Sequence, residues 1–412
     1  MSATLQRAVI INDRSAMVGG ASNLAILSAR FLASHGVDVV FFAGDEITAP
    51  APVARTINLG CPPLTLQGKA AAFVGGLYNA KAYSALKTLI AEDTPSTIYH
   101  VHGWSKILSP SIFRALAPVR SRVILHAHDY FLACPNGGFA NFRTNSICTL
   151  TPMSARCLGT QCDKRGYHEK LWRSLRHVIR QQLFPTGAEA PNIVVVHERM
   201  KDYLVKSGIN VGRTHTIRNP VDAFSSSGTA PWLKKSFFFI GRLEPEKGFA
   251  DAASAARAAG APLQIIGDGA GRALLERDFP DVIIHGWQNR DGVARLIQDA
   301  RAVIVSSRVP EPFSLAAVEA VASGIPVIMP SEALIGQEIF ERNCGLTFKS
   351  GDILSLSEAI RTLHADDTLV RQMAMNCLRE GPSLTHTTAT WNQALLDLYQ
   401  SVLASADLQK TG

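Results

Sequence analysis

The sequence predicts two α/β domains of similar size, each a doubly wound parallel sheet. Three observations predict it. The chain has 412 residues, more than one ordinary hydrophobic core organises. Short apolar segments alternate with helical patterns from end to end, as in parallel sheets covered on both faces. Near the middle, "DAFSSSGTAPWLKK" (222–235) carries Ser, Gly and Pro without an apolar period, as a linker does.

In the first half, "RAVIIN" (7–12), "VDVVFFAG" (37–44), "TIYHVHG" (97–103), "RVILHAHD" (122–129) and "NIVVVH" (192–197) read as strands. In the second half the strands are "SFFFIG" (236–241), "PLQIIGDG" (262–269), "VIIHGW" (282–287), "AVIVSS" (302–307) and "PVIMPS" (326–331), with Ala-rich helical stretches such as "GFADAASAARAAG" between them. "HEKLWRSLRHVIRQQLF" (168–184) places Leu171, Trp172, Leu175, Val178, Ile179 and Leu183 along one helical face, with Lys170, Arg173, Arg176 and Arg180 largely off it. Such a stripe is expected to cover a sheet, and a basic amphipathic helix also suits contact with an anionic membrane. "ATWNQALLDLYQSVLAS" (389–405) has no strand after it and is expected to pack back on the first domain. The expected domains are 1–222, including a cysteine-containing loop at 130–167, then 223–385, with the helix of 386–412 crossing back.

Composition narrows the function. A basic excess, 41 Lys and Arg against 34 Asp and Glu, suits phosphorylated ligands or anionic membrane surfaces. No Lys/Arg run with interleaved aromatics appears, so nucleic acid is not an expected partner. No apolar run approaches the roughly 18 residues that span a bilayer. The apolar stretch near the N-terminus, Ala8 to Ile11, is too short for a signal-peptide core, so a cytoplasmic location is expected, at the inner face of the membrane if that contact is made. Seven cysteines then read as reduced thiols. Four of them, Cys134, Cys148, Cys157 and Cys162, fall in a loop with little apolar content, where zinc or disulfides could act as a staple; their spacing is not the paired C-x2-C of strong zinc motifs.

Two motifs carry chemistry. "GRLEPEKG" (241–248) sends Arg242 and Lys247 out together after a strand, beside glycines that let a ligand approach the backbone. Two cations there suit a diphosphate; a solvated basic turn is the alternative. "EPFSLAAVE" (311–319) reads as a helix entry with Ser314 as N-cap, leaving the backbone N–H groups near Ser314 to Ala316 free for a phosphate. Glu311 and Glu319 flank that position. Carboxylates are strong acceptors for hydroxyl pairs, so the two suit a sugar on one side of a diphosphate and a ribose on the other, unless they are ordinary helix-start acids. The pairs His100/His102 and His126/His128 lie at strand ends without a third ligand at recognisable spacing, so no metal is expected there and His128 is the candidate for the cleft.

"GRLEPEKG", "IIGDGAG", "HGW", "EPFSLAAVEAVASGIPVI" and "QEIF…CGLTF" follow one another as in the C-terminal half of retaining family-four glycosyltransferases, which this chain resembles. "VGGASN", "YHVHGW", "HAHDYFLACP" and "IRNPVD" resemble that family's N-terminal landmarks. The resemblance implies a GT-B fold, two Rossmann-like domains facing across a cleft, and retaining transfer of a sugar from a UDP- or GDP-linked donor to a glycan or lipid-linked acceptor in surface polysaccharide synthesis. It implies Arg242 and Lys247 as diphosphate clamp, Gly267 at the donor, Glu319 as ribose ligand, and Glu311 with Phe313, Ser314 and Leu315 at the donor sugar. Gly19 and Gly20 would close on the donor, and His128 would face the reacting sugar. Ser314 stands where the family usually has glycine, Asn219-Pro220 where it has "N-G", and "LIGQEIF" (334–340) is shorter than usual. The chain has no D-x-D motif, so no catalytic metal or other cofactor is expected. A sugar-nucleotide epimerase or phosphorylase of the same fold, or a non-catalytic sugar-nucleotide-binding subunit, are the alternatives.

Overall fold

The computed structural model describes residues 4–17, 19–46, 53, 55–187, 190–224 and 229–411. Part of the linker at 222–235 therefore lies outside the described residues. The chain forms two compact units, one of residues 1–137, 150–217 and 392–412, the other of 138–149 and 218–391.

The first unit holds seven parallel strands: β1 (Arg7–Asn12), β2 (Asp38–Ala43), β3 (Arg55–Asn58), β4 (Thr97–Val101), β5 (Val123–Ala127), β8 (Asn192–Val195) and β9 (Thr214–Thr216), in the order β3-β2-β1-β4-β5-β8-β9. Between β5 and β8 in the chain, β6 (Ala140–Asn141) and β7 (Ser146–Ile147) pair as a small antiparallel hairpin that is grouped with the second unit. The central strands are apolar because both faces are covered: Ala8 to Ile11 of β1 and Ile124 of β5 have no exposure. The strand order reverses between β1 and β4, and an open α/β sheet presents a crevice at the carboxyl ends of such a pair. The second unit has β10 (Ser236–Ile240), β11 (Leu263–Ile266), β12 (Ile283–Ile284), β13 (Ala300–Ile304), β14 (Val327–Pro330) and β15 (Gly345–Phe348), parallel in the order β12-β11-β10-β13-β14-β15. Its switch point lies between β10 and β13.

Each strand expected from the sequence is present, 7–12 with the same ends and the others with ends shifted by a few residues. Within the two parallel sheets, strands β3, β9 and β15 were not expected. All three are sheet edges, short and only partly buried, so they lack the continuous apolar run that marked the others.

The helix at Tyr167–Leu183 departs from expectation in its facing. Leu171, Leu175 and Val178 are exposed, while Lys170, Arg176 and Arg180 are buried. The inward face finds partners for its cations. Lys170 Nζ lies 3.4 Å from Cys157 Sγ and 3.2 Å from Cys162 Sγ. The Arg176 guanidinium stacks over the rings of Trp104 and Trp172 at 5.3 and 5.6 Å. Arg180 bonds to His177 at 2.9 Å, and burial pulls its pKa down to about 9. The helix therefore turns its basic face inward rather than its leucines, packing against helices Lys69–Leu77 and Ser111–Leu116.

The last helix, Thr388–Thr411, joins the first unit from Asn392 onward. Trp391, Leu395, Tyr399 and Leu403 are buried, and the Tyr399 hydroxyl meets His100 Nδ1 at 2.6 Å. No described helix is long and apolar enough to cross a membrane.

Candidate active site

In the second unit, chemistry gathers at the carboxyl ends of β10 and β13. The chain leaves β10 through Gly241 and Arg242, forms a short turn at Pro245–Lys247, and enters helix Phe249–Ala259. Gly248 makes this possible. Its φ is +69°, and a Cβ there would stand 1.9 Å from the Ser306 carbonyl oxygen. The Ser306 hydroxyl donates to the Gly248 carbonyl at 2.8 Å, pinning the turn to the loop after β13. Lys247 is thereby brought onto Glu311, with which it forms an ion pair, and the Ser307 hydroxyl donates to the same carboxylate. Burial acts to raise the pKa of Glu311, but Lys247 and the hydroxyls of Ser307 and Ser314 hold it below the usual carboxylate value.

Ser314 is the N-cap of helix Leu315–Ala322, as its sequence position suggested. Its side chain makes no capping bond and turns to Glu311 instead, leaving the first-turn N–H groups open. Lys247, Glu311, Phe313, Ser314, Leu315 and Ala316 line one pocket of about 230 Å³. The pocket combines an ammonium group, a carboxylate and a helix N-terminus, which suits an anionic group joined to a polyhydroxylated one.

The other expected donor residues lie outside this lining. Arg242 is exposed and makes no ion pair among the described residues. Glu319 is held by Arg290 at 2.9 Å, and Arg290 also donates to the Asp222 carbonyl. Burial raises the pKa of Glu319 against the pull of Arg290. Gly267 is required by packing: at φ +149° a Cβ would strike the Gly241 carbonyl oxygen at 1.8 Å, so the ends of β10 and β11 close together only with glycine there. Arg290 and Ser307 were missed by sequence reasoning, since neither stands in a motif.

In the first unit, a pocket of about 60 Å³ opens at the carboxyl ends of β1, β4 and β5. Asp13 shapes it. Its carboxylate accepts the backbone N–H groups of Lys106, Ile107 and Leu108 at 2.8–2.9 Å, fixing the loop after β4. His128 lines the pocket, half-buried, while His126 lies deeper on the same strand at 2% exposure. The two rings stack at 4.1 Å, and His128 Nε2 meets His102 Nδ1 at 3.1 Å. Burial lowers the pKa of His128 to about 3, so the imidazole is neutral near pH 7 and acts as a hydrogen-bonding group rather than a cation. Ala21 and Ser22 also line the pocket. Gly19 and Gly20, exposed just before them, do not, and Val18 is outside the described residues.

His100, His102 and His126 place ligand atoms within 4.8 Å of one another. The sequence pairs therefore meet in one buried cluster, in which His100 and His126 stack with planes 11° apart and the Tyr399 hydroxyl meets His100 Nδ1. Cys134, Cys148, Cys157 and Cys162 form no disulfide, and the Lys170 ammonium lies within 3.4 Å of the thiols of Cys157 and Cys162.

Residues 18–223, half of the chain, match the family model described as Glycosyltransferase Family 4, and residues 226–378 match that of Glycosyl transferases group 1. The chain belongs to glycosyltransferase family 4. It is 25% identical over 272 residues to a glycogen synthase of Mycobacterium tuberculosis, a match covering 61% of this chain and 62% of that protein, so about three fifths of the relative's length is spanned. Among solved structures, sucrose-phosphate synthase from Thermosynechococcus elongatus superposes with a TM-score of 0.71 at 19% identity, over 97% of this chain and 100% of that one. Anabaena HepE in complex with UDP and glucose gives 0.66 at 16%, over 96% and 100%. At these identities the likeness is one of fold, and the fold of this glycosyltransferase is GT-B.

Proposed function

We propose that this family 4 glycosyltransferase moves a hexose-type sugar from a UDP- or GDP-linked donor, with retention of configuration, onto a glycan or lipid-linked acceptor. The observation that carries the reading is the contact of Lys247 with Glu311 at the mouth of helix Leu315–Ala322, all within one pocket. Departure of a nucleoside diphosphate builds negative charge. Lys247 and the open N–H groups of the helix would stabilise it, with Arg242 reaching in from its exposed position. Glu311, held ionised, would accept bonds from hydroxyls of the transferred sugar. Glu319 would take the ribose, exchanging or sharing its bond to Arg290. The HepE complex with UDP and glucose supports a UDP-linked donor for a chain of this fold.

His128, neutral in the first-unit pocket, would hydrogen-bond a hydroxyl of the reacting sugar. In this reading no divalent metal takes part, because lysine, arginine and helix N-terminus supply the positive charge. Thermal melts of the purified chain with a panel of nucleotide sugars, followed by transfer assays in excess chelator, test it. Stabilisation by one nucleotide sugar and chelator-insensitive turnover are expected. A strict need for added magnesium or manganese would overturn the metal-free scheme, and no stabilisation by any nucleotide would overturn the donor class.

A further inference from the structure

The outward face of helix Tyr167–Leu183 carries Leu171, Leu175, Val178 and Gln182, spaced so that all four fall on one stripe. The three apolar members are 46%, 47% and 36% exposed. Beside them, helix Lys69–Leu77 exposes Phe73 and Val74. The two helices are locked together, Trp172 Nε1 donating to the Phe73 carbonyl at 3.1 Å. Gly76 permits the approach, since a Cβ there would stand 2.4 Å from the Trp172 ring. A contiguous apolar patch of this kind on a folded surface marks an interaction site.

We propose that this patch docks the protein on a membrane surface rich in anionic lipid. Charge selects the occupant. Helix Lys69–Leu77 contains no acidic residue, and Glu169 is the only acid from Lys164 to Gly187. Lys69, Lys164 and Arg165 are exposed at the starts of the two helices. Leucine and phenylalanine enter the acyl boundary while the surrounding cations meet anionic headgroups. A second copy of the chain fits poorly, because a two-fold interface sets each patch against itself and brings these cations together.

The stripe also runs into a pocket. Gln182 lines a cavity of about 210 Å³ whose walls include Phe113, Leu116 and Phe184, with Arg114 and Arg120 among its lining. An apolar cavity beside guanidinium groups suits the upper part of one acyl chain below an acidic headgroup. The inference deepens the proposed transfer to a lipid-linked acceptor without depending on it, since the docking is read from residues that do not line the donor pocket.

The test uses the full chain and vesicles of phosphatidylcholine with or without phosphatidylglycerol. Wild type is expected to sediment with the anionic vesicles, less so as salt is raised, and to stay in solution with phosphatidylcholine alone. Leu175→Glu/Val178→Glu should lower the partition by roughly tenfold or more with an unchanged melting curve, and Phe73→Glu on the neighbouring helix should do likewise. In all these variants the thermal shift given by nucleotide sugar should persist, which separates a failure of docking from a failure of the donor site. Wild type that ignores anionic vesicles overturns the proposal. So does undiminished binding by the variants, or a stable dimer by light scattering that Leu175→Glu/Val178→Glu dissociates.

Discussion

Replacing Lys247 by methionine should leave a buried carboxylate without its cation, and the result should depend on pH. Side-chain exposure is 27% for Lys247 and 10% for Glu311, between a surface pair and a buried one. Surface pairs contribute up to about 1 kcal/mol and breaking buried ones costs roughly 3–5, so a loss of about 2 kcal/mol is expected at neutral pH. For a unit of this size that is roughly 4–8 °C in melting temperature. In wild type, Lys247, Ser307 and Ser314 outweigh burial and keep the Glu311 pKa below 4.5, so the pair stabilises fully above that pH and is lost as pH falls through the depressed value. In Lys247→Met burial faces no cation, the folded-state pKa rises above the unfolded one, and the folded state binds the proton more readily. Stability relative to wild type should then recover as pH falls toward about 5. Thermal melts at two pH values, with Lys247→Met/Glu311→Gln as partner, measure this. Equal deficits at both pH values, with no relief from the second substitution, would refute the reasoning.

Other outcomes follow from the same geometry. Glu319→Ala should weaken nucleoside diphosphate affinity by roughly ten- to a hundredfold, as loss of a charge-assisted bond does, measured by calorimetry. His128→Ala should lose most transfer activity while keeping nucleotide affinity within a few-fold, whereas the buried His126→Ala should mainly lower the melting temperature. Because burial holds His128 near pKa 3, the pH–rate profile should show no imidazole inflection between about pH 5.5 and 8. Gly248→Ala should be destabilising by roughly 2–4 kcal/mol in denaturant unfolding, from a left-handed backbone and a clash with the Ser306 carbonyl together.

Strands such as Arg7–Asn12 were legible because a parallel sheet buries both faces of its centre and writes an unbroken apolar run. The edge strand Arg55–Asn58 was not, since one side of it meets solvent and its residues are those of any loop. The Ser314 cap was legible because capping is a local matter of one residue and the next turn. Arg290, which engages Glu319 from 29 positions away, was not, because long-range ion pairs leave no spacing to read. The facing of helix Tyr167–Leu183 was misread for a related reason. Periodicity reports that a helix has two unlike faces, and which one turns inward depends on partners such as Cys157, Trp104 and His177 that only the fold assembles.

The return of the last helix to the first unit has a bearing on how the chain comes into being. Residues 218–391 form all but a small hairpin of the second unit, whereas the first unit lacks Tyr399 until the residues of the second have been made. The half translated first is therefore the half completed last. Until then the His100 face of its sheet waits uncovered, and the contact that closes it spans 299 positions, among the slowest kinds of closure to find by diffusion of a free chain. Order of assembly is thus written into the path of the chain: the first unit waits on residues that follow the whole of the second.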